Sequence, residues 1–252
     1  MKKTTFVVFG DIHGKQDLMY ETAIELEKEI DCSIDAILQV GDFETIRTNE
    51  DFEHYYAPRK YHKLSDIKDY FRNFKEAPFL TFFIGGNHEA WSVLAKNHDG
   101  FFLCPNVYFM GRSSIVNFKG VKIGGLTGVF ERGYYKTPLS ETPDYSWKYY
   151  RREAVEKLRG SSIDILLLHD WVWPLSKIDI TSEENIAEDM RQSEVISPTY
   201  SLIEQAQPKH VFMGHLHSRC LEGTIGASKI IGLKQLTHRK DLKSFKVIQI
   251  QT

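Results

Sequence analysis

TFVVFGDIHG, residues 5–14, is a run of β-branched and aromatic side chains that ends at a glycine and delivers Asp11 and His13 just beyond it. A run of this kind is apolar at every position, as expected of a strand buried on both faces. Residues 15–30 follow with Leu18, Met19, Ala23, Ile24 and Leu26 at helical spacing, so the unit reads as strand, loop, helix. The same grammar recurs four times. Asp35–Val40 runs into Gly41 and Asp42, Phe79–Ile84 into Asn87 and His88, Ile163–Leu168 into His169, and His210–Met213 into His215 and His217. Open α/β sheets bind ligands beyond the carboxyl ends of their strands. Five such ends predict one gathering point for these polar groups.

Between the units the pattern is less regular. Residues 43–62, polar and aromatic without a period, predict a loop or short helices over that point. A helix is expected near 63–75, separated by Pro78 from the third strand, and a short one at Trp91–Ala95. The runs 107–109, 113–118 and 121–126, spaced by Gly111 and by the turn at Lys119–Gly120, predict antiparallel strands. Residues 127–145 read as a loop rich in Gly, Pro, Thr and aromatics, 147–159 as a charged helix, 199–206 as a helix and 220–250 as β hairpins. Repeats, low-complexity stretches and linkers are absent from the sequence. The order predicts a single domain over 1–252, of α/β class, with a central sandwich of two sheets and outer helices.

Composition bounds the function. Apolar residues make up 42% of the chain, ample for a core, and the formal charge of −2 excludes nucleic-acid binding through net positive charge while leaving room for a local basic patch. Cys32, Cys104 and Cys220 are scattered, odd in number and form no CxxC pair, which argues against a disulfide framework and for a reducing compartment. The apolar run after Lys2 and Lys3 is too short for a signal peptide, and no stretch reaches the roughly 18 apolar residues of a membrane helix. The expectation is a soluble cytoplasmic protein with no membrane partner. Its oligomeric state is not encoded in any of these features.

The residue types name a chemistry. Carboxylates, imidazoles and an amide oxygen, without thiolates, suit Mn²⁺, Fe²⁺ or Zn²⁺. Asp11 and His13 are two apart, as are His215 and His217, so each pair can aim both polar groups one way while Ile12 or Leu216 packs inward. Glycines at 10, 14, 41, 85, 86 and 214 let the backbone turn so that the ligands reach a centre. Seven ligands suffice for two ions, and a carboxylate such as Asp42 can bridge ions about 3.5–4 Å apart. There is no GxxxxGK[ST] phosphate loop and no GxSxG elbow.

The motifs GDIHG, GDF, GNHE, HD and GHLH, in this order, resemble the calcineurin-like metallophosphoesterase family over essentially the whole chain. The resemblance implies a four-layer αββα sandwich of two mixed sheets flanked by helices, and a centre of two divalent metal ions (Mn, Fe or Zn). It implies that Asp11, His13, Asp42 and His217 hold one ion and that Asp42, Asn87, His169 and His215 hold the other. A metal-bound hydroxide would attack phosphorus in line, and His88, beside the cage, would act as the catalytic acid or stabilise developing charge. Asp170 and Glu89 would be supporting residues. Within the family, GDFETIR, APFLTFFIGGNHEA, PNVYFMGRSSIVNFKGVKIGGLTGVF and LLLHDW resemble the RNA lariat debranching enzymes, which hydrolyse the 2′–5′ phosphodiester of branched RNA. Many of those enzymes carry Cys where this chain has Asp11, and eukaryotic ones extend beyond the equivalent of residue 252. Membership of the eukaryotic branch would place the protein in the nucleus instead.

That likeness makes 127–160 a substrate-recognition insertion and nominates Tyr135, Lys136, Tyr149 and Arg152 as contacts to RNA or a nucleotide. Arg47 and Arg112 are further candidate phosphate contacts. The plain alternative for 145–152 is an amphipathic helix with its rings on the core and its arginines in solvent. Two other functions stay open at this point: hydrolysis of a phosphomonoester, phosphoprotein or small nucleotide at the same site, and a non-catalytic scaffold on the same fold.

Overall fold

Successive side chains of a strand point to opposite faces, and here both faces find apolar partners. The computed structural model describes residues 3–251. Its strands are β1 (Lys3–Phe9), β2 (Ala36–Gln39), β3 (Thr81–Phe83), β4 (Phe101–Cys104), β5 (Val107–Phe109), β6 (Ser113–Phe118), β7 (Val121–Leu126), β8 (Ile165–Leu168), β9 (Asp179–Glu184), β10 (His210–Met213), β11 (Cys220–Ile225), β12 (Ser228–Gly232) and β13 (Phe245–Gln251). The helices are α1 (Gln16–Glu29), α2 (Ile67–Phe71), α3 (Trp91–Leu94), α4 (Arg152–Leu158), α5 (Glu188–Arg191) and α6 (Pro198–Ala206). One sheet runs β13-β1-β2-β3-β5-β4 and the other β6-β7-β8-β10-β12-β11-β9. Both are mixed: β1, β2, β3 and β5 run parallel in the first, and β7, β8, β10 and β12 in the second.

Three apolar layers separate helix, sheet, sheet and helix. Phe6 and Val8 of β1 face Ile165, Leu167 and Phe212 of the other sheet. Their neighbours Val7 and Phe9 pack on Met19, Ala23 and Leu26 of α1. On the far side, Leu166, Leu168 and Val211 pack on Val155 and Leu158 of α4 and Leu202 of α6. Each fully buried Phe or Leu contributes roughly 2–3 kcal/mol, so the strand tips stand on a rigid base. The expected α/β sandwich with outer helices is the fold observed.

Several local expectations change. The helix near 63–75 shrinks to α2, because Ser65 and Asp66 donate their N–H groups to the Ile46 and Gly14 carbonyls and Asn73 turns left-handed at φ 59°. The helix expected over 147–159 starts only at Arg152. Before it, a 3₁₀ turn over Asp144–Lys148 ends at an extended Tyr149, where Val129 exchanges hydrogen bonds with Lys148 and Tyr150. Strand β5 joins the first sheet, antiparallel to β4, so only β6 and β7 form the expected hairpin. Of 220–250, β11 and β12 are a hairpin but β13 crosses over to pair with β1. Strand β9 lies in a stretch for which the sequence predicted no element. It is a mostly exposed edge strand whose one apolar side chain, Ile180, packs on the core, and so carries no apolar alternation.

Candidate metal centre

The loops after β1, β2, β3, β8 and β10 converge at one edge of the two-sheet sandwich. The nearest ligand atoms of Asp11, His13, Asp42 and His217 all lie within 4.8 Å of one another. His13 Nε2 sits 3.0 Å from His217 Nε2 and 3.6 Å from Asp42 Oδ2, and His217 Nε2 is 3.3 Å from Asp11 Oδ2. Asp42 is shared with the other residues: its Oδ1 is 3.4 Å from His169 Nε2, which lies 3.0 Å from Asn87 Oδ1. The His215 ring is 5.0 Å from that of His169, and its backbone N–H donates to Asp11 Oδ1 at 2.8 Å. First-sheet loops bring Asp11, His13, Asp42 and Asn87, and second-sheet loops bring the three remaining histidines.

The backbone is bent hard to achieve this. His13, Asp42, His215 and His217 have φ of 44°, 51°, 69° and 35°, in the left-handed region that costs non-glycine residues on the order of 1–3 kcal/mol each. Of the glycines expected to supply turns, Gly14 and Gly41 do so, with φ of 74° and 99°. Gly86 and Gly214 do something else: they have no such φ, and a Cβ would overlap the Asp42 carboxylate at Gly86 and the Asp11 carboxylate at Gly214. They are small because the ligands press on them.

Supporting groups fix ring orientation. His169 Nδ1 donates to the Val40 carbonyl at 2.9 Å, leaving Nε2 as the lone-pair nitrogen that faces Asn87 and Asp42. His13 Nδ1 is held by Glu44 at 2.8 Å, and Tyr55 donates to the same carboxylate at 2.9 Å. Burial alone would lower the pKa of His13, but the bond to Glu44 and the charges of Asp42 and Asp11 raise it to about 9. Burial would raise Asp42, yet His169 and His13 hold it well below the usual carboxylate range. Glu89, buried and pushed well above its ordinary value by that burial, takes N–H bonds from Phe43, Thr45 and Gly86. It staples two ligand loops together.

His88 stands beside the group, its ring 5.7 Å from that of His13 and its backbone N–H donating to Asp42 Oδ1 at 2.8 Å. Burial holds its pKa below the ordinary value, which favours the neutral imidazole. Asp170 accepts from Phe130 and Trp171, both at 2.8 Å, and so ties the 127–160 segment to the loop after β8. The nominated substrate contacts scatter. Tyr149 stacks on Tyr134 at 5.2 Å and Arg152 is exposed near Glu156, whereas half-buried Tyr135 packs against Phe130 and Tyr150. Lys136 is exposed. Arg47 is committed inside the fold, bidentate to Asp51 at 2.9 and 3.0 Å and 4.5 Å over the Phe71 ring. Glu44 and Tyr55 escaped the sequence reading; the one available signal was a second carboxylate two residues after Asp42.

A model of the calcineurin-like phosphoesterase family matches residues 4–219, a span that includes all seven predicted ligands and His88. The chain belongs to the calcineurin-like phosphoesterase family. It is 33% identical over 260 residues to lariat debranching enzyme A of Xenopus laevis, covering 94% of this chain and 49% of that protein. It is 33% identical over 224 residues to the lariat debranching enzyme of Homo sapiens, covering 83% and 41%, and 34% identical to that of Danio rerio, covering 83% and 39%. The chain thus spans half or less of the length of these relatives. Among solved structures, a protein of Thermus thermophilus aligns with TM-score 0.53 at 14% identity over 99% of this chain and 100% of that one. A putative 5′-nucleotidase of Staphylococcus aureus aligns with TM-score 0.52 at 10% identity, over 100% and 51%. At such identity these two show the family's fold alone.

Family membership implies divalent metal ions, and the residues fit them. Two imidazole nitrogens face each other between two carboxylates, a packing that a cation relieves. Asp42 Oδ2 and His215 Nδ1 are buried without a hydrogen-bond partner among the described residues. The absence of thiolates matches borderline and harder ions. Among the described residues, no helix is long and apolar enough to cross a membrane.

Proposed function

We propose that the chain is a single catalytic domain that hydrolyses phosphodiesters at a centre of two metal ions, and that its substrate is the 2′–5′ linkage of branched RNA. The observation that carries this is the convergence of Asp11, His13, Asp42 and His217 within 4.8 Å, with Asn87, His169 and His215 grouped on the other side of Asp42. The first four would hold one ion, and Asp42, Asn87, His169 and His215 the other. Mn²⁺, Fe²⁺ or Zn²⁺ would supply Lewis acidity and a water of lowered pKa. The chain's own residues supply the rest. Glu44 and the Val40 carbonyl orient the imidazoles of His13 and His169. His88, its backbone N–H fixed by Asp42 and its imidazole free of hydrogen bonds among the described residues, offers a ring N–H to a phosphate oxygen or to the leaving oxygen. The 127–160 segment, tethered by Asp170, would contact the RNA at separate points, through the Tyr149–Tyr134 stack and through the exposed Lys136 and Arg152. The likeness to lariat debranching enzymes supports branched RNA over other diesters.

The test has three arms. Chelation should abolish turnover of bis(p-nitrophenyl) phosphate and Mn²⁺ or Fe²⁺ should restore it; activity that survives exhaustive chelation refutes the metal centre. His88→Ala should lower kcat about 10²-fold or more with metal content unchanged; loss of metal as well would make His88 a ligand. Metal-loaded protein should cut branched RNA and spare a matched linear strand, and equal cleavage of both would remove the branched substrate.

A further inference from the structure

Arg112 and Arg151 both line a cavity of about 660 Å³ that Pro138 and Leu139 also border. Neither belongs to the group at the strand tips. Arg151 is buried and its terminal nitrogens serve the fold: Nη1 donates to the Tyr149 and Ser146 carbonyls at 2.7 and 3.3 Å, and Nη2 to the Thr142 and Ser146 hydroxyls at 3.0 and 2.9 Å. Arg112 is the opposite case. Both of its terminal nitrogens are buried without a hydrogen bond among the described residues, and its only cation–π partner there is Trp91, with Cζ 5.0 Å from the ring centre. Burial and the nearby Arg151 charge push its pKa down to about 9, against the pull of Glu153, so the group stays charged at neutral pH. A buried charge without a hydrogen bond is costly, and the Trp91 indole face offsets part of that cost without satisfying the N–H donors. Asp99 and Glu153 also line the cavity, but Asp99 pairs with Lys157 at 3.4 Å and neither carboxylate bonds the Arg112 fork, which keeps its donors free for an anionic ligand.

Its walls indicate which anion. Trp147, Tyr150 and Leu139 give aromatic and apolar surface, and the volume lies within the roughly 300–1,000 Å³ typical of small-molecule sites. The planar fork of arginine matches phosphate oxygens. We propose that this cavity binds a nucleotide, with Arg112 taking the phosphate and the Trp147–Leu139 wall taking the base. Arg112 lines the cavity as a half-buried residue, and to meet the phosphate its enclosed fork would have to rotate away from the Trp91 face. A free nucleotide and a nucleotide flanking the scissile bond share this chemistry. The flanking case alone rests on the proposed RNA substrate; binding of the free nucleotide does not.

Calorimetric titration of the metal-loaded chain with adenosine 5′-monophosphate and with inorganic phosphate tests it. Arg112→Met should weaken the nucleotide about tenfold or more and raise the Tm of the ligand-free protein by removing the unpaired charge. Leu139→Trp, which fills the cavity without touching either arginine, should also abolish binding. Nucleotide should bind more tightly than inorganic phosphate. If KM for branched RNA rises in both variants, the ligand is a flanking nucleotide; if only free nucleotide binding changes, it is a separate ligand. Affinity unchanged in both variants, or a Tm that falls in Arg112→Met, overturns the proposal, the latter because the charge would then be compensated within the fold. Loss of diester turnover on chelation without any change in nucleotide binding would leave it standing, so the two readings fail separately.

Discussion

Glu44 sets the tautomer of His13. A carboxylate on Nδ1 keeps the proton on that nitrogen, so that a metal ion would displace the proton of Nε2, which faces Asp42 and His217. Glu44→Ala should weaken metal binding about 10–100-fold, measured by equilibrium dialysis, because the ring is freed and the Tyr55 hydroxyl loses its acceptor. Glu44→Gln keeps an acceptor and should retain most of the affinity; equal loss in both would mean that charge, not orientation, is what Glu44 supplies. The seven strand-end residues were legible because an apolar run followed by a polar group is a sequence-local pattern. Glu44 was not. Its contact depends on left-handed backbone at both Asp42 and Glu44, φ 51° and 54°, which folds the side chain back across the loop.

At the scale of elements, the segment from Ile46 to Tyr55 shows how a loop without periodicity becomes a fixed wall. Asp51 accepts the N–H groups of Arg47 and Thr48 at 2.7 and 3.2 Å and clamps the Arg47 guanidinium, starting a 3₁₀ turn over Asn49–His54. Ile46, Tyr55 and Ala90 then pack together, which holds Tyr55 against Glu44. Burial alone would raise the Asp51 pKa, but the bonds from Arg47 overcome it and hold it below the ordinary value. Its stabilising effect is therefore full above the unfolded pKa of about 4 and lost as pH falls through the lower folded value. Asp51→Asn should cost about 1–3 kcal/mol at pH 7 in thermal melts and converge on the parent protein in acid; a gap independent of pH would deny the charge any part. No periodicity announces such a turn. The same limit explains 147–159, where the pairing of Lys148 and Tyr150 with Val129, a contact across the chain, overrides helical spacing.

For the molecule as a whole, β13 is the closing piece. It pairs with β1 from Lys3–Gln251 to Phe9–Phe245 and places Ile248 and Ile250 in the layer between the sheets. The segment before it reaches the site: Leu236 N–H donates to the Asp11 carbonyl and Gln235 N–H to the His217 carbonyl, both at 2.8 Å. Ile248→Ala should therefore destabilise the entire fold by about 3 kcal/mol, lowering Tm by roughly 6–12 °C in one cooperative transition. A Tm unchanged, with only local loosening of β13, would show that the strand is an accessory. Hairpin spacing in 220–250 predicted strands there but could not assign this one to a distant partner.

Four of the seven strand-tip side chains come from one sheet and three from the other, so neither sheet alone makes a usable site. A folding chain meets this arrangement late, after the sheets have docked and the C-terminal strand has returned to the first. A cation held across that seam has little to grip in the folding transition state and much to release in unfolding. It should act on the lifetime of the native state, slowing its opening, and leave the rate of refolding almost untouched.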